Sequence, residues 1–282
     1  MTAPRPFLKW AGGKGQLLGE LRSLVPPRHG RYFEPFLGGG ALFFDRLPKD
    51  GMLSDVNAEI VGCYIAVRDE VEKLIRALKR HRYDADHYYA VRDTNPADLS
   101  PVERAARTIF LNKTGFNGLY RVNRSGKFNV PFGRYARPLI CDEDNLRACS
   151  KALALVDLRV CDFEEAALRA NAGDFVYFDP PYVPVSRTAT FTAYAPGGFG
   201  QDAQVRLADL FGRLAARGVH VLLSNSDVPA TRKLYAGYRV ETVKASRAIN
   251  SNASRRGPVS EVLVMSMAKP SKAKAKAKRS SG

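Results

Sequence analysis

Short apolar runs bounded by turn residues alternate along this chain with segments whose apolar positions recur at i, i+3 and i+4. The runs Arg31–Phe36, Met52–Asp55, Val156–Asp162, Phe175–Asp179, Val219–Ser224, Arg239–Lys244 and Val259–Met267 have the length and β-branched or aromatic content of buried strands. Lys14–Val25, Asn57–Lys79, Pro101–Asn112, Glu143–Leu155 and Asp202–Arg217 carry the helical period, and an apolar helix is expected just after Gly40. Strand–helix alternation predicts an α/β fold, with a mostly parallel, Rossmann-like sheet covered by helices on both faces. One interval breaks the alternation. After Asp55 the next core strand begins near Val156, too far along for a βα connection. Residues 58–142 are therefore expected to form an inserted, mainly helical domain. Residues 1–57 and 143–267 together would build the sheet domain. The stretch 268–282, with six basic residues and no acid, has nothing to bury and is expected to be a disordered basic tail.

Composition adds a partner class. Hydrophobic residues make up 45% of the 282, enough for a core, and the apolar runs are far shorter than the ~20 residues that span a bilayer, so no membrane partner is expected. The N-terminus has no apolar signal segment, which points to the cytoplasm. Cys63, Cys141, Cys149 and Cys161 lack C-x-x-C spacing and the four histidines are scattered, so neither a disulfide framework nor a metal is expected. The formal charge is +16, and removing the six tail positives still leaves 38 basic against 28 acidic residues. A body this basic points to a polyanion, nucleic acid first.

Three motifs carry candidate chemistry. Glu34-Pro35-Phe36-Leu37-Gly38-Gly39-Gly40 runs from a strand into a glycine turn, where a ligand can approach the backbone, and the next strand ends in Asp55, placed to accept from ribose hydroxyls. The pattern is neither a dinucleotide fingerprint nor a P-loop. It suits a nucleoside without pyrophosphate, S-adenosyl-L-methionine, or else it is a plain tight turn. The second motif, Asp179-Pro180-Pro181-Tyr182, sits at the carboxyl end of a buried strand, where open α/β sheets place active sites. A carboxylate and a proline-locked carbonyl can each accept one N–H of an exocyclic amine, and Tyr182 offers a face for a flipped-out base. Its bland reading is a strand closed by a Pro-Pro turn. The third is acid-free. Between Arg104 and Ile140 stand eight basic residues (Arg104, Arg107, Lys113, Arg121, Arg124, Lys127, Arg134 and Arg137), interleaved with aromatics. This pattern predicts a phosphate-tracking surface with a β-hairpin turning at Ser125-Gly126.

These blocks, in their order and spacing, resemble the Dam-type DNA adenine-N6 methyltransferases, the D12 class with the Asp-Pro-Pro-Tyr motif. The resemblance runs from about Pro6 to Met267 through Phe7–Lys14, Glu34–Gly40, Phe110–Tyr135 and Asp179–Tyr182 with the following Phe191–Tyr194. It implies a methyl group taken from S-adenosyl-L-methionine, a flipped adenine in double-stranded DNA, the target GATC, and a monomer associated with the nucleoid. Trp10, Lys14, Asp179 and Phe36 to Gly40, including Gly38, would line the cofactor pocket, with Asp55 on the ribose. Asp162 and Phe163 would bracket the cofactor's adenine. Asp179 and the Pro180 carbonyl would bind the target N6, with Pro181 completing the turn and Tyr182 stacking on the base. Lys9, Asn117, Leu119, Arg121, Pro131 and Arg134 would contact DNA. The alternatives are methylation of cytosine N4 or RNA adenine, and a non-catalytic DNA-binding protein on the same fold. The sequence leaves open a solitary regulator, acting for instance in DNA replication, or the partner of a restriction endonuclease.

Overall fold

A computed structural model of the protein describes residues 2–10, 14–123, 125–183, 199–246 and 258–266. All seven predicted strands are present: β1 (Tyr32–Glu34), β2 (Gly51–Asp55), β3 (Asp157–Val160), β4 (Phe175–Phe178), β5 (His220–Ser226), β6 (Arg239–Ser246) and β7 (Pro258–Met265). They form one sheet in the order β3-β2-β1-β4-β5-β7-β6. The pairs from β3 to β5 are parallel, and β7 runs antiparallel to both β5 and β6. The chain builds outward from β1 through β2 to β3, then returns to place β4 on the other side of β1. That reversal opens a crevice beyond the carboxyl ends of β1 and β4, where ligands of such sheets bind.

Alternation along the strands divides the core between the two faces. Tyr32, Leu53, Phe175, Tyr177, Leu222 and Leu263 point to one side, and Phe33, Met52, Val176, Phe178, Val221, Leu223 and Val262 to the other. The first face is covered by α1 (Leu18–Leu24), α2 (Ala41–Arg46), α3 (Ala58–Asp69), α4 (Val71–Leu78), α6 (Pro101–Thr114) and α7 (Glu143–Leu153); α8 (Phe163–Ala167) and α9 (Gln201–Ala216) cover the second. The remaining helices are α5 (Ala85–Asp93) and α10 (Pro229–Leu234). None of the described helices is long and apolar enough to cross a membrane.

Helix starts follow local chemistry. Asn57 accepts from the amides of Glu59 and Ile60 to begin α3, and Ser100 and Glu103 form a capping box before Pro101 of α6. The single helical run expected over Asn57–Lys79 is broken at Glu70, whose backbone leaves the helix at φ −135°. The break lets α3, apolar nearly all round, stay buried against the sheet, while amphipathic α4 turns onto α6 and α7. Helices α5, α8 and α10 are short, and the periodicity does not predict them.

A separate small core of Tyr88, Phe110, Leu111, Phe128 and Val130 lies where α5 and α6 meet the segment around Arg121 and Asn129. There Val122 bridges Phe128 antiparallel, Asn123 N–H donates to the Lys127 carbonyl, and Gly126 takes φ +74° in the turn. Two asparagine clamps tie the N-terminal segment down. Asn112 bonds both the N–H and the carbonyl of Lys9, at 2.7 and 2.8 Å, and Asn145 does the same for Arg5, at 2.9 and 3.0 Å. Residues 184–198, 247–257 and 267–282 lie outside the described chain. The expectations on Phe191–Tyr194, on loops closing over DNA and on the basic tail therefore lie outside it too, as does Arg124.

Candidate active site

The glycine turn after β1 is a backbone cradle. Gly38 and Gly40 take φ +45° and +63°, a region that L side chains rarely adopt. A side chain on Gly38 would sit 2.6 Å from the Trp10 indole, so the turn and Trp10 fit only because a glycine is there. Asp55, at the carboxyl end of β2, accepts from Gly38 N–H at 3.2 Å and from Asn57 N–H at 2.9 Å, and burial pushes its carboxyl up from the usual range. Opposite, Phe36 stacks on Phe163 at 5.3 Å, with Phe199 edge-on to both. Asp162 caps α8 through Glu164 N–H and pairs with Arg206 at 2.5 Å. Asp55 at the end of β2, the Phe36–Phe163 wall and Asp162 after β3 supply acceptors and a stacking surface of the kind a nucleoside needs.

Next to this cradle stands Asp179, just beyond the carboxyl end of β4. Lys14, only 5% exposed, places its ammonium 2.9 Å from Asp179 Oδ1. The Ser224 hydroxyl donates to the same oxygen at 2.8 Å, with the Tyr177 phenol 3.1 Å from Ser224 Oγ. Two donors on one oxygen fix the rotation of the carboxylate. The Lys14 ammonium also lies over the Tyr182 ring, 4.7 Å from its centre. The sequence reading leaves Lys14 as a cofactor-pocket residue; its geometry makes it a bridge between the cradle and the Asp-Pro-Pro-Tyr turn.

The turn is clamped from its neighbours. Gln204 on α9 donates to the Pro181 carbonyl at 2.9 Å and is itself held by Asn225, at 3.0 Å. Asn225 also accepts from Val183 N–H, Ser226 donates to the Val183 carbonyl at 2.6 Å, and the Tyr182 hydroxyl donates to Glu261 at 2.7 Å. Among the described residues no hydrogen bond falls on the Pro180 carbonyl. The sequence reading does not single out Ser224, Asn225, Ser226, Gln204 or Glu261. A signal for the first three is there: a polar triplet closing the apolar run of β5, beside β4 and the Asp179 turn.

Beneath the cradle, Glu34 is wholly buried and accepts from the Tyr32 hydroxyl at 2.7 Å. Burial, helped by the nearby Asp179 charge, pushes its carboxyl up to about 8, so it is mainly protonated at neutral pH. A neutral Glu34 adds no second negative charge beside Asp179. Among the described residues, no group of three His, Cys, Asp or Glu stands close enough to hold a metal ion.

Trp10, 5.9 Å from Tyr120, links the cradle to the basic segment. Lys9 lies against Gly118, with its ammonium 4.1 Å over Tyr135 and bonded to the Lys113 carbonyl. Asn117 is exposed, at the unusual φ of +54°, and Arg121, Pro131 and Arg134 are exposed as well. Arg121 is braced across the hairpin on the side chain and carbonyl of Asn129, at 2.7 and 3.0 Å. Leu119 packs against the small core. The even phosphate-tracking surface expected of all eight basic residues needs correction. The Arg107 guanidinium is buried on the carbonyls of Val91 and Arg92, and Arg104 is bonded to the Pro96 carbonyl. Arg107 fills carbonyls that the end of α5 leaves open and Arg104 shares the Pro96 carbonyl with Leu99 N–H, so counting charges overstates the binding face.

A family model described as D12 class N6 adenine-specific DNA methyltransferase matches residues 10–249. The type II methyltransferase M1.LlaDCHI of Lactococcus lactis subsp. cremoris is 43% identical over 268 residues, 92% of this chain and 94% of the relative. The type II methyltransferase M.MjaIII of Methanocaldococcus jannaschii is 42% identical, over 93% of this chain and 98% of its own. The DNA adenine methylase of Escherichia coli is 34% identical, over 94% and 96%. Likeness of this extent means that the chain belongs to the D12 class of N6 adenine-specific DNA methyltransferases.

Proposed function

We propose that this adenine-specific DNA methyltransferase takes its methyl group from S-adenosyl-L-methionine, acts on an adenine flipped out of duplex DNA, and reads GATC. The observation that carries the reading is the Asp179 carboxylate, fixed by Lys14 and Ser224 at the lip of the glycine cradle. When bound, the cofactor supplies a sulfonium methyl open to direct attack. The protein's own task is to make adenine N6 a nucleophile, because its lone pair is delocalised into the ring. Asp179 and the Pro180 carbonyl would each accept one N6–H, drawing the nitrogen towards sp³ geometry, and Asp179 is placed to relieve the positive charge that builds there. Tyr182 would stack on the extruded ring, a contact worth ~1–3 kcal/mol. Trp10, Phe36, Gly38, Gly40 and Lys14 would line the cofactor site, with Asp55 on the ribose and Asp162 and Phe163 about the cofactor's adenine.

Recognition is assigned to the 58–142 insertion, and within it to the face that carries Lys9 from the N-terminal segment with Asn117, Leu119, Arg121, Pro131 and Arg134. Arginine can grip guanine O6 and N7 with two hydrogen bonds, worth ~1–3 kcal/mol of discrimination. The names of the DNA adenine methylases and type II methyltransferases among the relatives support DNA adenine as the substrate. We further read the enzyme as a monomer working in the cytoplasm on nucleoid DNA. The test is methyl transfer from labelled S-adenosyl-L-methionine to duplexes carrying GATC or a single-base variant, followed by nucleoside analysis. N6-methyladenine confined to GATC is expected, and Asp179→Ala should abolish it while leaving the fold intact. N4-methylcytosine as product, or near-normal activity of the Asp179 variant, would overturn the reading.

A further inference from the structure

Glu261 lies on β7, beyond residues 10–249 that the family model matches. In register it stands opposite Ser226 of β5 and Val243 of β6. The alternation of β7 sends Val262 and Val264 to one core and Leu263 and Met265 to the other, so Glu261 shares the face of Leu263 and Met265. That is the face of Tyr177, whose phenol leads through Ser224 to Asp179. A half-buried carboxylate there needs a donor, and it has one: the Tyr182 hydroxyl at 2.7 Å.

Tyr182 is thus held by three elements. Asn225 and Ser226 of β5 hold the backbone of the next residue, Val183. The Lys14 ammonium lies over the ring, 4.7 Å from its centre, and Glu261 fixes the hydroxyl at its far end. A phenol ring turns about two side-chain bonds. Anchoring its tip to a strand in the centre of a β5-β7-β6 ladder removes most of that freedom. We propose that Glu261 is a positioning residue for methyl transfer, presetting the plane of the Tyr182 ring on which the target base stacks. The inference rests on the reading of Tyr182 as that stacking platform. Glu261 touches no substrate. It acts by reducing the ordering that base capture would otherwise require.

The experiment compares Glu261→Ala, Glu261→Gln, Tyr182→Phe, the Glu261→Ala/Tyr182→Phe double variant and Tyr182→Ala. Each is assayed for methyl transfer to a GATC duplex, for the fluorescence of 2-aminopurine placed at the target adenine, and for S-adenosyl-L-methionine binding by calorimetry. Glu261→Ala and Tyr182→Phe should each lower kcat about tenfold, the scale of one hydrogen bond to a charged group, with KM for DNA within about threefold. The 2-aminopurine signal should fall and cofactor affinity should hold. Glu261→Gln, whose amide oxygen still accepts from a phenol, should recover most of the loss. The double variant should be no worse than either single one, because both remove the same bond. Losses that multiply to about a hundredfold, or a Glu261→Ala enzyme at the wild-type rate, would overturn the proposal. Should Glu261→Ala fail to bind cofactor, Tyr182→Phe and Glu261→Gln decide it: a wild-type rate in the first or no recovery in the second refutes it. A Tyr182→Ala enzyme at the wild-type rate would instead sink the stacking reading itself, whereas a crippled Tyr182→Ala with a normal Glu261→Ala sinks only the positioning role.

Discussion

Arg107 separates charge that builds the protein from charge that meets DNA. Its guanidinium, in a residue 6% exposed, donates to the Val91 carbonyl at 2.9 Å and the Arg92 carbonyl at 2.6 Å. Both acceptors belong to the last turn of α5, which has no further amides to offer them. Arg107→Met keeps much of the apolar stem and removes both donors. Hydrogen bonds from charged groups contribute ~1.5–3 kcal/mol each, and the two share one side chain and are not fully additive, so a loss of ~3 kcal/mol is expected. At roughly 2–4 °C per kcal/mol, the melting temperature should fall by ~6–12 °C. DNA binding should respond in a different coordinate. Each neutralised phosphate contributes about −0.9 to the slope of log K against log salt, so a residue that touches no phosphate leaves that slope unchanged. Exposed Arg134, on the face assigned to DNA, is the control: Arg134→Ala should flatten the slope by about one unit and leave the melting temperature unchanged. Thermal unfolding and salt-titrated anisotropy on one duplex measure both. An Arg107→Met protein that melts like the wild type but loses a unit of slope would refute the assignment.

Other perturbations test the site and its surroundings. Glu34 keeps its proton up to about pH 8 in the folded protein and loses it near 4.5 when unfolded, so its contribution is fully present below 4.5 and is lost as the pH rises through 8; Glu34→Gln should flatten the fall of melting temperature between pH 5 and 8.5, and an unchanged profile would contradict the buried neutral acid. His81 has the opposite sign. Packed on Phe110 and 3.0 Å from His87, it is pushed down to about 4 by burial, so stability is lost as the pH falls from about 6.5 to 4, and His81→Leu should remove that slope. Arg121→Lys keeps the charge but not the two-pronged grip, and should leave the salt slope intact while costing ~1–3 kcal/mol of preference for GATC over single-base variants in competition assays. Deleting Ala268–Gly282 should weaken DNA binding and its salt dependence without altering sequence choice.

The strands were legible because each is a buried run whose alternation serves two cores, as in Phe175, Val176, Tyr177 and Phe178, and nothing but a central strand accommodates four such residues. The glycine turn and the Asp-Pro-Pro-Tyr turn were legible because their residue types are rare solutions to backbone problems. The reading failed where one residue type serves two ends. Arg107 and Arg121 look alike in sequence, both in an acid-free stretch, yet one is spent on helix carbonyls and the other is displayed on a hairpin. The difference is set by α5, which the periodicity does not announce, since Tyr88 is its sole buried residue. Glu261 is the same case reversed: a lone acid in a strand of valines and leucines reads as an exposed position, and acquires a role only when β7 enters between β5 and β6. Motifs thus record chemistry held by a few contiguous residues. The partners that orient that chemistry come from β5, β7 and α9, remote in sequence, and become visible only once the sheet order is known.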